Sequence, residues 1–174
     1  LLTTILATGA ASAQNVDFHL NGMSFFDNRE YKEFVTRSRT YSGVRITADV
    51  GFNIDSNNHF IFGANALHEF GGNPFFLRVN PVAYYSFTGK NWLFNAGAFS
   101  REGLLTDYPR AMLNDTLRYY RPNVEGLLTR FKNSHFTETV WIDWVSRQTD
   151  VDREQFLFGF SGKYQPLLSG PFYV

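Results

Sequence analysis

Residues 41–54 read YSGVRITADVGFNI, and within them apolar side chains take every second position. Successive side chains of a β-strand point to opposite faces, so this alternation predicts a strand with one apolar surface and one polar surface. The apolar set is Val44, Ile46, Ala48, Val50, Phe52 and Ile54, and the opposite set is Arg45, Thr47, Asp49, Gly51 and Asn53.

The same alternation recurs along the chain with short turns between the repeats. It predicts eight strands, at 16–26, 39–54, 59–70, 75–87, 92–101, 123–131, 136–147 and 153–164. Residues that favour tight reversal fill the connections 55–58, 71–74, 88–91 and 132–134. These connections are too short for a crossover helix, so neighbouring strands are expected to pair antiparallel. The longer connections are 27–38 and 102–122.

The two ends of the chain carry their own signals. Residues 1–13 are small and apolar and close with Ala11-Ser12-Ala13, which predicts an N-terminally truncated secretory signal peptide with an A-x-A cleavage site. Residues 14–174 are then the barrel domain. Phe172-Tyr173-Val174 reads as the start of a ninth strand, which predicts a C-terminally truncated domain, the N-terminal part of a larger barrel. A closed eight-stranded barrel is the alternative, and side chains would fill its interior.

Composition excludes several classes of protein. Aromatic residues make up 18% of the chain and charged residues 18%, whereas soluble domains carry roughly 25% charged residues. The formal net charge is zero, so nucleic acid is not an expected partner. The chain has no cysteine and four scattered histidines, which predicts neither a disulfide scaffold nor a metal or cofactor site.

In its N-terminal signal, its alternating strands and its long mid-chain loop, the chain resembles the outer-membrane β-barrel (porin-like) class of Gram-negative bacteria. The resemblance covers residues 14–164 at the level of pattern. It implies an all-β, antiparallel, up-and-down transmembrane β-barrel that is exported to the bacterial outer membrane. The implied partners are outer-membrane lipid and the barrel-assembly machinery, and the oligomeric state stays open.

With the apolar face turned to lipid, the other face lines a lumen. Charged groups in a lumen hold water and act on a passing solute, whereas exposing them to lipid costs a few kcal/mol each. The predicted pore-lining residues are Arg45, Asp49, Arg78, Asn80, Asn95, Arg101, Asp143, Arg147 and Lys163. Paired charges that only fill a narrow barrel would produce the same pattern.

The long loop at 102–122 combines apolar residues with tyrosine and arginine. Loops of this length are commonly functional, and this one is expected to fold into or over the barrel mouth. Its rings and guanidinium groups suit sugars or anions. The predicted constriction residues are Asp107, Tyr108, Arg110, Asp115, Arg118, Tyr119 and Arg121. A packed external loop without a ligand is the alternative.

The leading functional hypothesis is a porin-like channel for passive diffusion of small polar solutes, with saccharides or anions as candidates. None of the four histidines belongs to a His-x-Ser motif, and the chain has no G-x-S-x-G elbow. The sequence therefore predicts no enzyme and no catalytic residues. Three alternatives stay open: a structural or adhesive barrel, a lipid-modifying outer-membrane enzyme, and a soluble barrel that binds an apolar ligand.

Overall fold

The computed structural model describes residues 7–13, 15–30, 38–105, 108–109 and 113–165. These residues form one sheet and two short helices. The strands are β1 (Ala7–Ala13), β2 (Val16–Arg29), β3 (Arg39–Asn53), β4 (Asn58–Glu69), β5 (Arg78–Thr88), β6 (Trp92–Ser100), β7 (Asn123–Lys132), β8 (Phe136–Ser146) and β9 (Gln155–Tyr164). The helices, α1 (Glu102–Leu105) and α2 (Asp115–Tyr120), both lie between β6 and β7.

Every strand pairs antiparallel with the next one along the chain, from β1 to β9. This confirms the predicted all-β, up-and-down antiparallel fold, and β2 to β9 correspond to the eight predicted strands. Within the described ranges, β1 and β9 form the two edges of the sheet. Polar turns close the hairpins as expected: Asp55 Oδ1 accepts hydrogen bonds from the backbone N–H groups of Asn57 and Asn58, at 2.8 and 2.9 Å.

Strand β1 occupies residues that the sequence predicts as a signal peptide. Ala7 lies opposite Gly22, and Ala13 lies opposite Val16. Cleavage after Ala13 would remove this strand, so the pairing belongs to the uncleaved chain. The signal peptide stays a prediction, and residues 1–6, Gln14 and the predicted ninth strand at 172–174 lie outside the described residues.

The sheet is strongly curved. Tyr119 stacks on Phe25 of β2, and Arg121, two residues further along, reaches Asp143 of β8. In a flat sheet, with about 4.8 Å between strands, β2 and β8 would lie roughly 29 Å apart. More directly, Asn65 of β4 donates to Asn123 of β7 at 2.9 Å, although these strands would lie roughly 14 Å apart in a flat sheet. The strands therefore curl around the described part of the 101–122 segment. The concave side is called the inner face here and the convex side the outer face.

The two faces differ as the alternation predicts. The outer face carries large apolar side chains on most strands, and many of them are 40% exposed or more. They include Phe18, Leu20, Ile46, Phe60, Phe62, Val79, Leu127, Phe156, Phe158 and Phe160. The inner face carries the polar register, including Arg45, Asn65 and Asp143, all of which are buried. No helix in the described part of the chain is long and apolar enough to cross a membrane.

Candidate functional site

Residues 101–122 are called the inserted segment, and its described residues pack against the inner face of the sheet. Leu104 and Leu113 are 1% and 2% exposed and join a cluster with Phe99 and Val124. Tyr119 stacks on Phe25 with ring centroids 4.2 Å apart. The apolar residues of this loop therefore pack on the sheet, which agrees with the expectation from its composition.

A buried ion pair anchors the inserted segment. The Arg101 guanidinium donates to Asp143 Oδ2 at 2.5 Å, and both side chains are 1% exposed. The same guanidinium donates to the backbone oxygens of Arg121 and Asn123. Asp143 Oδ1 accepts from the Glu125 backbone N–H at 2.9 Å. Both carboxylate oxygens thus have a donor, and the pair joins β8 to the start of β7 and to both ends of the inserted segment. This arrangement suits a structural role.

A second set of charged contacts lies beside β3. Arg45 donates to the backbone oxygen of Arg118, and its guanidinium is 4.0 Å from Glu102. The Arg118 guanidinium lies 3.7 Å from the same carboxylate. Nearby, the Tyr120 hydroxyl donates to Glu69, and burial, together with this hydrogen bond, raises the pKa of Tyr120. The inserted segment is thus fixed to β3 and β4 by polar bonds.

A cavity of about 490 Å³ lies on the inner face beside the inserted segment. Its wall includes residues 19–23 of β2, Arg45, Thr47 and Asp49 of β3, and Glu102 and Pro122 of the inserted segment. Tyr84 and Ser100 add hydroxyl groups to the lining. A space of this size with several polar groups is large enough for part of a small ligand.

The cavity contains a histidine paired with a carboxylate. His19 Nδ1 lies 2.7 Å from Asp49 Oδ1, and the two residues are direct neighbours across β2 and β3. The His19 side chain is 41% exposed and that of Asp49 is 12% exposed. An ionised carboxylate fixes the tautomer by accepting from Nδ1–H, so Nε2 becomes the nitrogen that can take up or release a proton.

The other three histidines have different partners. His59 Nδ1 contacts the Asn53 side-chain oxygen at 2.6 Å, and His68 contacts the backbone oxygen of Phe75 while stacking on that ring. His135 contacts its neighbour Ser134 at 2.7 Å in an exposed turn. Among the described residues, His19 is the histidine whose ring nitrogen lies within 4 Å of a carboxylate oxygen.

The predicted pore-lining residues fall into three places. Arg45 and Asp49 line the cavity, and Arg101 and Asp143 form the buried pair. Arg78 and Asn80 line a second, smaller space. Asn95 is half-buried, Lys163 is exposed, and Arg147 is exposed beyond the end of β8. The structure does not bring all nine together, and their role in a pore stays a prediction.

The predicted constriction residues are only partly described. Tyr119 is 5% exposed, and the Tyr108 ring meets Trp141 edge-on with centroids 5.6 Å apart. Arg118 and Arg121 face Glu102 and Asp143. Asp107, Arg110 and the Asp115 side chain lie outside what the structure describes. The described members bind the protein itself, and a role at a constriction stays a prediction.

Sequence reasoning missed His19 as a candidate site residue. Its pairing with Asp49 depends on the register of β2 against β3, and the long connection at 27–38 leaves that register open. Alternation alone could have placed both residues on the inner face. In the described parts of the chain, no group of three or more His, Cys, Asp or Glu residues could hold a metal ion.

The chain matches the family model for lipid A 3'-O-deacylase-type proteins over residues 8–172. Because the match covers nearly the whole chain, the chain belongs to this family. No curated protein matches it significantly. The family and the antiparallel up-and-down sheet together place the chain in the outer-membrane β-barrel class.

Membership corrects the sequence-based functional hypothesis. The expectation that the protein is not an enzyme is wrong, because the family is one of enzymes. The absence of a familiar nucleophile motif led to that error, since such motifs are specific to individual families and do not transfer between them. The match gives the channel hypothesis no support and favours the lipid-modifying enzyme, which had been an alternative.

Proposed function

We propose that the protein is a hydrolase of the bacterial outer membrane that removes an ester-linked acyl chain from lipid A. The observation that carries this proposal is the family match over residues 8–172. The outer face adds independent support, because it presents a broad apolar surface of the kind that lipid covers. An enzyme seated in the membrane meets a lipid substrate without extracting it into water.

Ester hydrolysis needs a base that activates the attacking oxygen. Water adds to the ester carbonyl while losing a proton, and the alkoxide that leaves must gain one. The pair of His19 and Asp49 fits this task, since Nε2 can accept the first proton and return it to the leaving alkoxide. Asp49 would stabilise the imidazolium that forms between the two steps. The products are a free fatty acid and a lipid with one hydroxyl group restored.

The same cavity offers a positive charge for the transition state. Arg45 is 8% exposed and belongs to the cavity wall, and its interactions with Arg118 and Glu102 hold the guanidinium in place. A fixed cation in a site of low dielectric stabilises the oxyanion that develops on an ester carbonyl. In this proposal Arg45 stabilises charge, and His19 transfers the proton.

The test is deacylation of lipid A by the refolded protein in detergent micelles, with released fatty acid measured by mass spectrometry. The wild-type protein should release fatty acid, and His19→Ala should reduce kcat by roughly 10²–10⁴-fold, the usual contribution of a general base. Asp49→Asn should lower kcat as well, because the imidazole loses its orienting anion.

His59→Ala is the matched control, because His59 is also an inner-face histidine near the turns but contacts an amide in place of a carboxylate. It should retain wild-type activity. No release by the wild-type protein from lipid A would overturn the proposed function. Full activity in His19→Ala would leave the function standing and remove the His19 and Asp49 pair from it.

A further inference from the structure

The wall of the sheet is interrupted where β6 and β7 approach the inserted segment. Strand β5 starts at Arg78, yet its pairing with β6 begins only at Ala83. Strand β7 starts at Asn123, yet its pairing with β8 begins only at Gly126. The ends of β6 and β7 therefore pair with each other and leave both neighbouring strands. A lateral cleft of about 260 Å³ lies at this interruption.

Specific residues cause the break. The Pro81 carbonyl accepts from the Asn123 side chain, so this side of Pro81 faces away from β4. The Pro81 nitrogen lies on the same side and has no hydrogen to donate, which ends the ladder with β6. On the other side, Asp143 Oδ1 takes the Glu125 N–H. At the break between β5 and β6, and again at the break between β7 and β8, a side chain thus takes the hydrogen bond that a backbone group of the next strand would otherwise make.

Two glycines, paired with each other across β6 and β7, lie where these strands separate from β5 and β8. Gly97 has a φ of +123°, and it pairs with Gly126. A Cβ on Gly126 would lie 2.0 Å from the Ile142 carbonyl oxygen, and one on Gly97 would lie 2.3 Å from that of Ala83. The close approach of the backbones requires glycine at both positions. The cleft is therefore built into the sequence.

The lining combines positive charge with groups that can bind a sugar. Arg78 and Asn80 come from β5, Tyr120 and Arg121 from the inserted segment, Glu125 from β7, and Trp144 and Val145 from β8. Arg78 donates to the Tyr120 backbone oxygen at 3.1 Å, and the Arg121 guanidinium lies 3.8 Å from Asp143. Each guanidinium has five N–H donors, so both retain capacity for a ligand.

The surroundings of the cleft belong to the lipid-facing surface. Val79 is 58% exposed on one side, and Leu127 and Trp144 are 45% and 41% exposed on the other. A lipid in the surrounding bilayer could therefore reach the cleft without leaving the membrane. Pro122 and Asn123 line both this cleft and the cavity that contains His19. The two spaces are thus separated by a single strand end.

We infer that the lateral cleft binds the phosphorylated sugar headgroup of a membrane glycolipid, with Arg78 and Arg121 on the phosphate. Guanidinium groups are the preferred protein donors to phosphate oxygens. Glu125 and Asn80 supply acceptors for sugar hydroxyls, and Trp144 supplies an aromatic face. This inference rests on the proposed function, since it names the part of the lipid substrate that the cleft selects.

The test measures binding in the His19→Ala background, in which hydrolysis should be roughly 10²–10⁴-fold slower, so that the ligand persists during the titration. Protein in phosphatidylcholine nanodiscs is titrated with a phosphorylated lipid A analogue and with the same analogue lacking phosphate, and tryptophan fluorescence is followed. We expect Kd to be at least about tenfold lower for the phosphorylated analogue. Arg78→Gln should abolish that preference without changing the Kd of the unphosphorylated analogue.

Arg130→Gln is the control, because Arg130 lies on β7, contacts Thr139 at 2.9 Å and does not line the cleft. It should bind both analogues as the parent protein does. Inorganic phosphate tests the other source of the same chemistry. Binding of free phosphate without preference for the phosphorylated lipid would overturn the inference, and so would an equal loss in Arg130→Gln.

The outcomes separate this inference from the proposed function. Hydrolysis by the wild-type protein, together with no effect of Arg78→Gln on binding, would overturn the headgroup site alone. A phosphate preference that depends on Arg78, without any hydrolysis by the wild-type protein, would support the site and overturn the proposed function. Heat-modifiable gel mobility of each variant confirms that it is folded.

Discussion

Asp143 shows how one inward carboxylate organises its surroundings. Removing a carboxylate from water costs several kcal/mol unless charge and hydrogen bonds replace the lost hydration. Arg101 supplies the charge at 2.5 Å, and the Glu125 N–H supplies a further bond at 2.9 Å. The residue thereby joins the inserted segment, β7 and β8 at one point.

Asp143→Asn should lower the free energy of unfolding by about 3–5 kcal/mol, because the Arg101 cation would stay buried without its counter-charge. Urea titration in lipid vesicles measures the change. Asp152→Asn is the matched control in an exposed loop, and it should change stability by less than about 0.5 kcal/mol. Similar losses in the two variants would show that the buried pair does not contribute in this way.

The sequence predicts the face of Asp143 but not its partner. Alternation along β8 places Asp143 on the opposite face of the strand from Ile142 and Trp144. Because those two side chains are apolar and face outward, Asp143 must face inward. Arg101, in contrast, lies at the end of β6, where the path of the chain depends on how the inserted segment packs. A contact over 42 residues of sequence carries no periodic signal, so only the folded chain reveals it.

At the level of elements, regular pairing and its interruption have different origins. Regular strands follow from alternation and turn residues, and the sequence predicted β2 to β9 with boundaries within three residues. The interruption between β5 and β8 follows from single residues whose effect needs a neighbouring strand. A proline such as Pro81 removes a ladder donor in any strand, whereas the role of Gly126 depends on its close approach to Ile142.

Gly126→Ala should destabilise the sheet by about 1–3 kcal/mol, the usual cost of forcing atoms into a filled space. The added Cβ would lie 2.0 Å from the Ile142 carbonyl oxygen, so β7 and β8 must separate. Gly162→Ala provides the control, since a Cβ there meets no atom within 4 Å. Replacing that glycine should be neutral or slightly stabilising because the unfolded chain loses freedom. Urea unfolding in lipid vesicles compares the stability of the two variants. An unchanged stability of Gly126→Ala would contradict the close approach of the Gly126 and Ile142 backbones.

For the molecule as a whole, the division into an apolar outer face and a polar inner face determines which surface suits lipid and which surface can hold a polar site. Among the described residues, Phe60, Phe62 and Phe158 stay 40–66% exposed on the outer face, and lipid is the medium that would complete their burial. The inner face can then keep His19 and Asp49 in a polar cavity. The sequence predicted this division correctly, whereas only the family match indicates an enzyme, because alternation carries no information about bond cleavage.

Ile46→Arg tests the division directly, because Ile46 lies at the middle of β3 and is 46% exposed on the outer face. A guanidinium near the bilayer midplane should cost roughly 2–4 kcal/mol of stability. Asn21→Arg introduces the same side chain in the neighbouring strand, opposite Thr47, where the cavity on the inner face can hydrate it. Its cost should therefore be much smaller. Urea titrations of both variants in lipid vesicles compare the two faces at nearly the same depth. An equal cost would mean that lipid does not cover the outer face at this level, and a reversed order would mean that the faces are exchanged.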